Sequence, residues 1–398
     1  MRSILPGTSQ DNNLATSGTE YLAIVGGEIN PSTTESAHQI VMSEDGTMKR
    51  FFVELFTAPG VGTSRTFTLR KNGQDQTLTV TISNTDTTGR DLNNSFSFVA
   101  GDLISISSTV SGTPAASRVM WCLMIDTSTP KRSILTFLLT SGQGYSNTAT
   151  QNLSLGGEAD FSTNTGNPML AATSGKIKRL YVNLTTAPGA GKSRTITLEK
   201  NGSSTALSVV LSDSETQDSD LSNEITVVAG DSFRIVSTPS GTPASTTITI
   251  CVTFEADTDG EFNFAATCLD GVGGNNVEGA TFVSSGFRYG FSNNQDLELC
   301  DECTVRKIYI EDLNLGGGPG AGKFWDFYLE VEGSETGLIV TLTGTEVTGN
   351  AAFDISVSPG NSVRTVFRGR NSSNPTSATR ISCLGYIEPE NVNVSVIG

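Results

Sequence analysis

The sequence predicts an all-β chain of three tandem antiparallel β-sandwich domains. One observation is an internal period of 129 residues, and the second is period-two alternation of apolar and β-branched residues between tight-turn sequences. The third is that no stretch carries a convincing helical period. The segment from Lys49 to Gly73 returns from Lys178 to Gly202 with 17 of 25 positions identical and no gap. The same offset carries Gly101 and Asp102 onto Gly230 and Asp231, Ser111 to Ala115 onto Ser240 to Ala244, and Cys122 onto Cys251. A more divergent third copy runs from Val305 through Gly318 to Lys323, Ser358 to Asn361 and Cys383. Each copy is long enough to bury a core of its own. The expected domains are residues 1–128, 129–258 and 259–388, followed by a β-prone tail at 389–398. The links are only a few residues long, which favours domains packed side by side.

The second copy gives the clearest strands. Ile177 to Leu184, Arg194 to Lys200, Ala206 to Leu211, Glu224 to Val228, Ser232 to Val236 and Thr247 to Phe254 all alternate. Ile134 to Leu139 and Gln151 to Leu155 add two more. Lys-Asn-Gly, Ala-Gly-Asp and Ser-Gly-Thr-Pro stand between them and supply positive or fixed φ. Eight or so antiparallel strands in about 125 residues fit a sandwich, with two Greek keys making a jelly roll and an immunoglobulin order as the competitor.

Composition narrows the function. The formal charge is −16, and counted from Asp257 the third copy holds 19 of the 41 Asp and Glu. A chain this acidic repels nucleic acid, because phosphate binding needs clustered Lys and Arg. No apolar stretch is long enough for a membrane helix, and the N-terminal residues lack the apolar core of a signal peptide, so assembly in a cytoplasm is expected. Cys122, Cys251 and Cys383 share one late-strand position and read as small buried hydrophobes. Cys300 and Cys303 have CxxC spacing, but a zinc site needs a second ligand pair, for which only Cys268 and the solitary His38 are candidates. The pair reads as an incidental or locally paired loop.

Other motifs carry little chemistry. Gly191, Lys192 and Ser193 resemble the end of a phosphate-binding loop, but Thr186 stands where its first glycine belongs and a strand follows instead of a helix. In the third copy Gly317, Gly322 and Lys323 fit, yet Phe324 replaces the magnesium-binding hydroxyl. His38 reads as a surface residue with no nucleophile beside it. The acidic runs Asp213 to Asp220 and Asp257 to Glu261 lack full calcium-loop spacing and read as solvated loops. No cofactor, metal or catalytic residue is expected. Arg65 and Arg194 recur just after the glycine-rich segment, either pairing within the fold and capping loop carbonyls or contacting a neighbouring subunit. In the third copy Trp325 stands nearby instead.

The block Thr-Ala-Pro-Gly-x-Gly-x-Ser-Arg-Thr-x-Thr-Leu-x-Lys-Asn-Gly, at Thr57 to Gly73 and Thr186 to Gly202, resembles a module of structural proteins of tailed bacteriophages. The last four strands of a copy, with Ala-Gly-Asp opening the penultimate one, resemble tumour necrosis factor-like and capsid jelly rolls. The resemblance implies a non-enzymatic virion protein of the head-decoration or capsid-associated type, with a tail or fibre component second. It implies three jelly rolls closed as a pseudo-trimer. The implied partners are a major capsid protein or other virion proteins and further copies of this chain, with no direct nucleic-acid or membrane contact. Arg65, Arg194 and the tail residues Val392, Val394 and Val396 are the candidate interaction residues, because an alternating tail after Pro389 suits addition to a neighbour's sheet. A glycan-binding adhesive sandwich, with Trp121, Trp325 and the tyrosines stacking on sugars, is the alternative.

Overall fold

The computed structural model describes residues 1–9, 12–25, 31–139, 146–153, 168–268, 277–280, 297–312, 318–370 and 379–387. In the first sandwich the strands are β1 (Arg2–Thr8), β2 (Thr19–Leu22), β3 (Ile40–Val41), β4 (Gly46–Leu55), β5 (Gly60–Lys71), β6 (Gln74–Asn84), β7 (Thr88–Phe98), β8 (Leu103–Ser111) and β9 (Val119–Thr127). One sheet has the order β1-β9-β4-β7 and the other β2-β8-β5-β6, with the short β3 also on β8. Setting β3 aside, first pairs with last, second with seventh, third with sixth and fourth with fifth, all antiparallel. That nesting is the jelly-roll order and excludes the immunoglobulin one.

The second sandwich repeats it with β10 (Arg132–Leu139), β11 (Gln151–Leu153), β12 (Met169–Leu170), β13 (Gly175–Leu184), β14 (Gly189–Lys200), β15 (Ser203–Asp213), β16 (Gln217–Val227), β17 (Ser232–Ser240) and β18 (Ile248–Ala256). The third uses β19 (Glu261–Cys268), β20 (Val277–Ala280), β21 (Leu297–Glu298), β22 (Cys303–Asp312), β23 (Gly320–Val331), β24 (Ser334–Gly344), β25 (Thr348–Val357), β26 (Ser362–Arg370) and β27 (Thr379–Tyr386). Sheet orders β10-β18-β13-β16 and β19-β27-β22-β25 match the first sheet strand for strand, as do β11-β17-β14-β15 and β20-β26-β23-β24 the second.

Alternation sets the inward faces. Leu78, Val80 and Ile82 of β6 are buried, as are Leu207, Val209 and Leu211 of β15 and Leu338, Val340 and Leu342 of β24. Each such side chain contributes roughly 1.5–3 kcal/mol of burial. β9 and β18 do not alternate in burial at all. Val119, Trp121, Leu123 and Ile125 fill the first core, while Met120, Cys122 and Met124 on the opposite face pack with the core of the third sandwich. Likewise Ile248, Ile250, Val252 and Phe254 fill the second core, and Cys251 turns toward the first. A strand buried on both faces loses its polar stripe.

Two acidic or glycine-rich segments expected as loops are partly strand. β16 begins at Gln217, so the end of the run Asp213 to Asp220 is in the ladder. β14 begins at Gly189, and the pairing jumps from Gly189–Asp213 to Ser193–Ser212 across a bulge. Positive φ at Gly189 and Gly191 makes that bulge, and Gly60, Gly62, Gly320 and Gly322 adopt the same conformation in the other copies.

Candidate assembly surfaces

Each sandwich presents an outer sheet face to the segment that precedes the third long strand of another. After β3 the chain passes through Met42, Ser43 and Glu44; the equivalents are Ala171, Ala172 and Thr173, and Leu299, Cys300 and Asp301. Facing Ser43 is the second sandwich: its hydroxyl lies 3.1 Å from Cys251 Sγ and 3.0 Å from Thr253 Oγ1. Glu44, nearly buried, pairs with Arg179 at 2.9 Å and Arg132 at 3.3 Å. Facing Cys300 is the first sandwich: its backbone N–H donates to Cys122 Sγ at 3.1 Å, and the two sulfurs are 2.7 Å apart. Asp301 pairs with Arg50 at 2.8 Å and Arg2 at 3.3 Å. Arg2 and Arg132 occupy the same register position, as do Arg50 and Arg179.

The joint between the second and third sandwiches keeps this geometry and alters its charge. Ala172 N–H donates to Asn263 Oδ1 at 2.7 Å, and the Thr173 hydroxyl donates to Glu261 Oε2 at 2.6 Å. Glu261 stands where Arg2 and Arg132 stand, and Arg306 reaches it at 3.9 Å. Gln217 Nε2 donates to Gly101 O at the first–second joint, whereas Gly230, Thr348, Gly349 and Asn350 line a groove of about 560 Å³ at the corresponding place here.

The arginines aimed across two joints come from a repeated irregularity. The register of β4 shifts between Lys49 and Phe51, and that of β13 between Lys178 and Leu180, so Arg50 and Arg179 are bulged out of the ladder. Both adopt left-handed φ, 54° and 55°. For a residue with a Cβ this costs roughly 1–2 kcal/mol. The repeated Lys-Arg doublet is the signal that sequence reasoning passed over.

A second repeated feature faces outward. Leu92, Leu221 and Phe353 occupy one register position on the edge strands β7, β16 and β25 and are 57%, 55% and 56% exposed. In the first two copies a carboxylate shapes the backbone that presents the leucine. Asp91 accepts from the N–H groups of Asn93, Asn94 and Thr79 and from Asn94 Nδ2; Asp220 does the same with Ser222, Asn223, Ser208 and Asn223 Nδ2. Burial works against ionisation at both, but the donors together hold each carboxyl below the ordinary aspartate value.

The residues singled out from sequence fall elsewhere. Arg65 and Arg194 are 0% exposed, which corrects the reading of either as a contact to a neighbouring subunit. Arg65 donates to the carbonyls of Ala15 at 2.7 Å, Ala115 at 2.9 Å and Leu14 at 3.4 Å, and Arg194 to Ser146 at 2.9 Å and Ala244 at 3.1 Å. Both tie two loops to a strand just past its glycine bulge. Burial lowers the affinity of the Arg65 guanidinium for its proton, and the nearby Glu20 restores part of it. Trp325 has their register position in the third copy, 2% exposed. His38 is buried rather than on the surface, because the short turn Glu35–Ala37 folds it inward with Nδ1 3.3 Å from Thr34 O. The tail residues Val392, Val394 and Val396 lie outside the described residues.

The cysteines at the joints are enclosed. Burial pushes the thiols of Cys251 and Cys303 up to about 12, and that of Cys300 upward as well, the last reinforced by Cys122. The glycine-rich segment is held as protein: Gly191 N–H donates to Asp213 Oδ1 at 2.7 Å, and Gly62 N–H to Asn84 Oδ1 at 2.9 Å. Asp259 Oδ1 accepts from Lys131 N–H and Gly260 N–H, which fastens one interdomain link to the other. Compared with models of known protein families and with curated proteins, the chain finds no match.

Proposed function

We propose that the chain is a non-enzymatic structural protein of a virion, decorating or stabilising a capsid, in which three jelly rolls close as a pseudo-trimer. The observation that carries this reading is the one joint made three times: first onto third, second onto first, third onto second. Equivalent surfaces that meet in a cycle leave no sandwich with an unfilled end, as in a closed rotational assembly. One such chain fills a place that three identical subunits would otherwise occupy. The recurring exposed Leu92, Leu221 and Phe353 then form a threefold set of apolar contacts suited to a capsid protein below or around it.

Both tryptophans favour a shell component over a glycan binder. Trp121 and Trp325 lie in cores, 3% and 2% exposed, so neither offers an open face for a sugar to stack on. The test is electron microscopy of particles purified from cells making this chain, with an antibody against it. Regularly spaced label on particle heads is the expected result. Chain found only in the soluble fraction, or only on tail fibres, overturns the capsid reading.

A further inference from the structure

The three joints place different atoms at one position. Cys251 meets Ser43, Ala172 lies in the middle of the corresponding segment at the second–third joint, and Cys122 meets Cys300. The first and second sandwiches are already joined by the chain near Thr129, and the second and third near Thr258. The contact between first and third has no peptide link, and residues 122 and 300 are separated by 178 positions. The only described joint without a covalent connection is the one where two sulfurs face each other.

We infer that Cys122 and Cys300 form a disulfide that closes the three-sandwich ring covalently. Their sulfurs stand 2.7 Å apart, closer than two unbonded sulfurs pack and near the roughly 2.05 Å that a bond needs. Cys122 projects from the outer face of β9, beside Phe52 of β4, and Cys300 sits in the short segment before β22. Cys303, three residues on, begins β22 and belongs to the same buried cluster, so it is the competing partner that the test must separate. The inference uses the joint alone and does not depend on a role in a virion.

The oxidant is a small-molecule disulfide of the glutathione class. One protein thiolate attacks it, forming a mixed disulfide and releasing one small thiolate; the second protein thiolate then displaces the other. Two protein thiols are oxidised, one small disulfide is reduced to two thiols, and the two protons go to those thiols. At 1% and 0% exposure the pair must react while the joint is open, so the bond is set as the ring closes. It stays open at the thiol poise of a cytosol and is retained in an oxidising medium.

The test equilibrates the full chain with oxidised and reduced glutathione under mildly denaturing conditions and restores the native state in the same redox buffer. It then quenches with acid, unfolds the chain in denaturant with excess N-ethylmaleimide to block every free thiol, and maps unreduced peptides. Cleavage between Cys300 and Cys303, at Asp301 or Glu302, separates the two possible partners. The expected product links the Cys122 peptide to the Cys300 peptide; it persists in Cys303→Ser and is lost in Cys122→Ala and Cys300→Ser. The oxidised chain should melt at least about 3 °C above the reduced one, a gap absent from Cys300→Ser. Cys122 found alkylated under oxidising buffer, or Cys300 linked to Cys303, overturns the inference. Mapping of the unsubstituted chain decides the matter even if a variant fails to fold.

Discussion

Arg65, Arg194 and Trp325 solve one local problem with two chemistries. Just past the bulge of β5 and β14 a guanidinium gathers carbonyls from two loops, and at the same place in β23 an indole fills the space. Truncating either arginine leaves those carbonyls without a donor inside the protein. Arg65→Ala should lower unfolding free energy by roughly 3–5 kcal/mol, read from the denaturant midpoint. Acid stability follows from Asp91, Asp220 and Asp326, the last held low against burial by Arg370, Thr341 and Arg368. Because their folded values lie below the ordinary 3.8, their stabilisation is present above that value and fades as pH falls through the folded ones. Glu20 has the opposite sign: burial raises it, so its contribution is full below 4.5 and lost as pH climbs through its folded value. The melting temperature should therefore fall steeply below about pH 4, and the double variant Asp91→Asn, Asp220→Asn should flatten that limb. An unchanged slope would mean that other groups set it.

At the scale of the element, the edge strands β7, β16 and β25 carry the exposed apolar residues, and the opposite side of each of those sheets carries the joints. Replacing Leu92, Leu221 and Phe353 together by Ser removes only exposed apolar area, so stability should stay within about 1 kcal/mol. Incorporation into particles, measured by quantitative gel of purified heads, should drop sharply. By contrast, Gly175→Ala would put a Cβ 2.3 Å from the Glu255 carbonyl within the sheet, and should destabilise the second sandwich by roughly 1–3 kcal/mol in the same denaturant assay. Most strands were legible because alternation and turn residues are local signals. Those of the second copy lie where the sequence placed them, but β14, β15 and β16 start earlier, β17 runs on to Ser240, and the two-residue β12 was not foreseen. The joints were not legible. Nothing local distinguishes an Arg50 that crosses to Asp301 from one that points to water, and residues 251 positions apart share no sequence pattern. The unbroken hydrophobic run Val119 to Ile125 was the available hint, since a sandwich strand with one wet face would alternate. His38 was misread for a related reason: a polar neighbourhood in sequence says little about which way a short turn faces.

Across the whole molecule, the three joints are alike in shape and unlike in charge. Glu44 and Asp301 each answer two arginines, while Thr173 meets Glu261. Removing Glu44 takes away the carboxylate that Arg179 and Arg132 share, leaving Arg132 its pair with Glu255 at 2.6 Å and Arg179 its bond to the Ser43 carbonyl. Glu44→Gln should cost about 1–3 kcal/mol and Thr173→Ala roughly 1 kcal/mol, with high salt narrowing the difference. Limited proteolysis of the Glu44 variant should cut first near Thr129, where the first and second sandwiches would part.

The charge of each joint also decides which domain could meet a copy of itself. A homotrimer of identical domains needs a single surface able to meet itself. The first sandwich has one: Arg2, Arg50 and Cys122 on its sheet would suit its own Ser43 and Glu44, as Arg132, Arg179 and Cys251 do. The second does not, since its arginines would find Thr173 and no carboxylate. The third has turned against itself, with Glu261 destined to face Asp301. Expressed alone, residues 1–128 should sediment as a homotrimer, and residues 131–256 and 259–388 should not. The first domain thus carries both halves of one joint, whereas the second and third depend on a neighbour of different sequence.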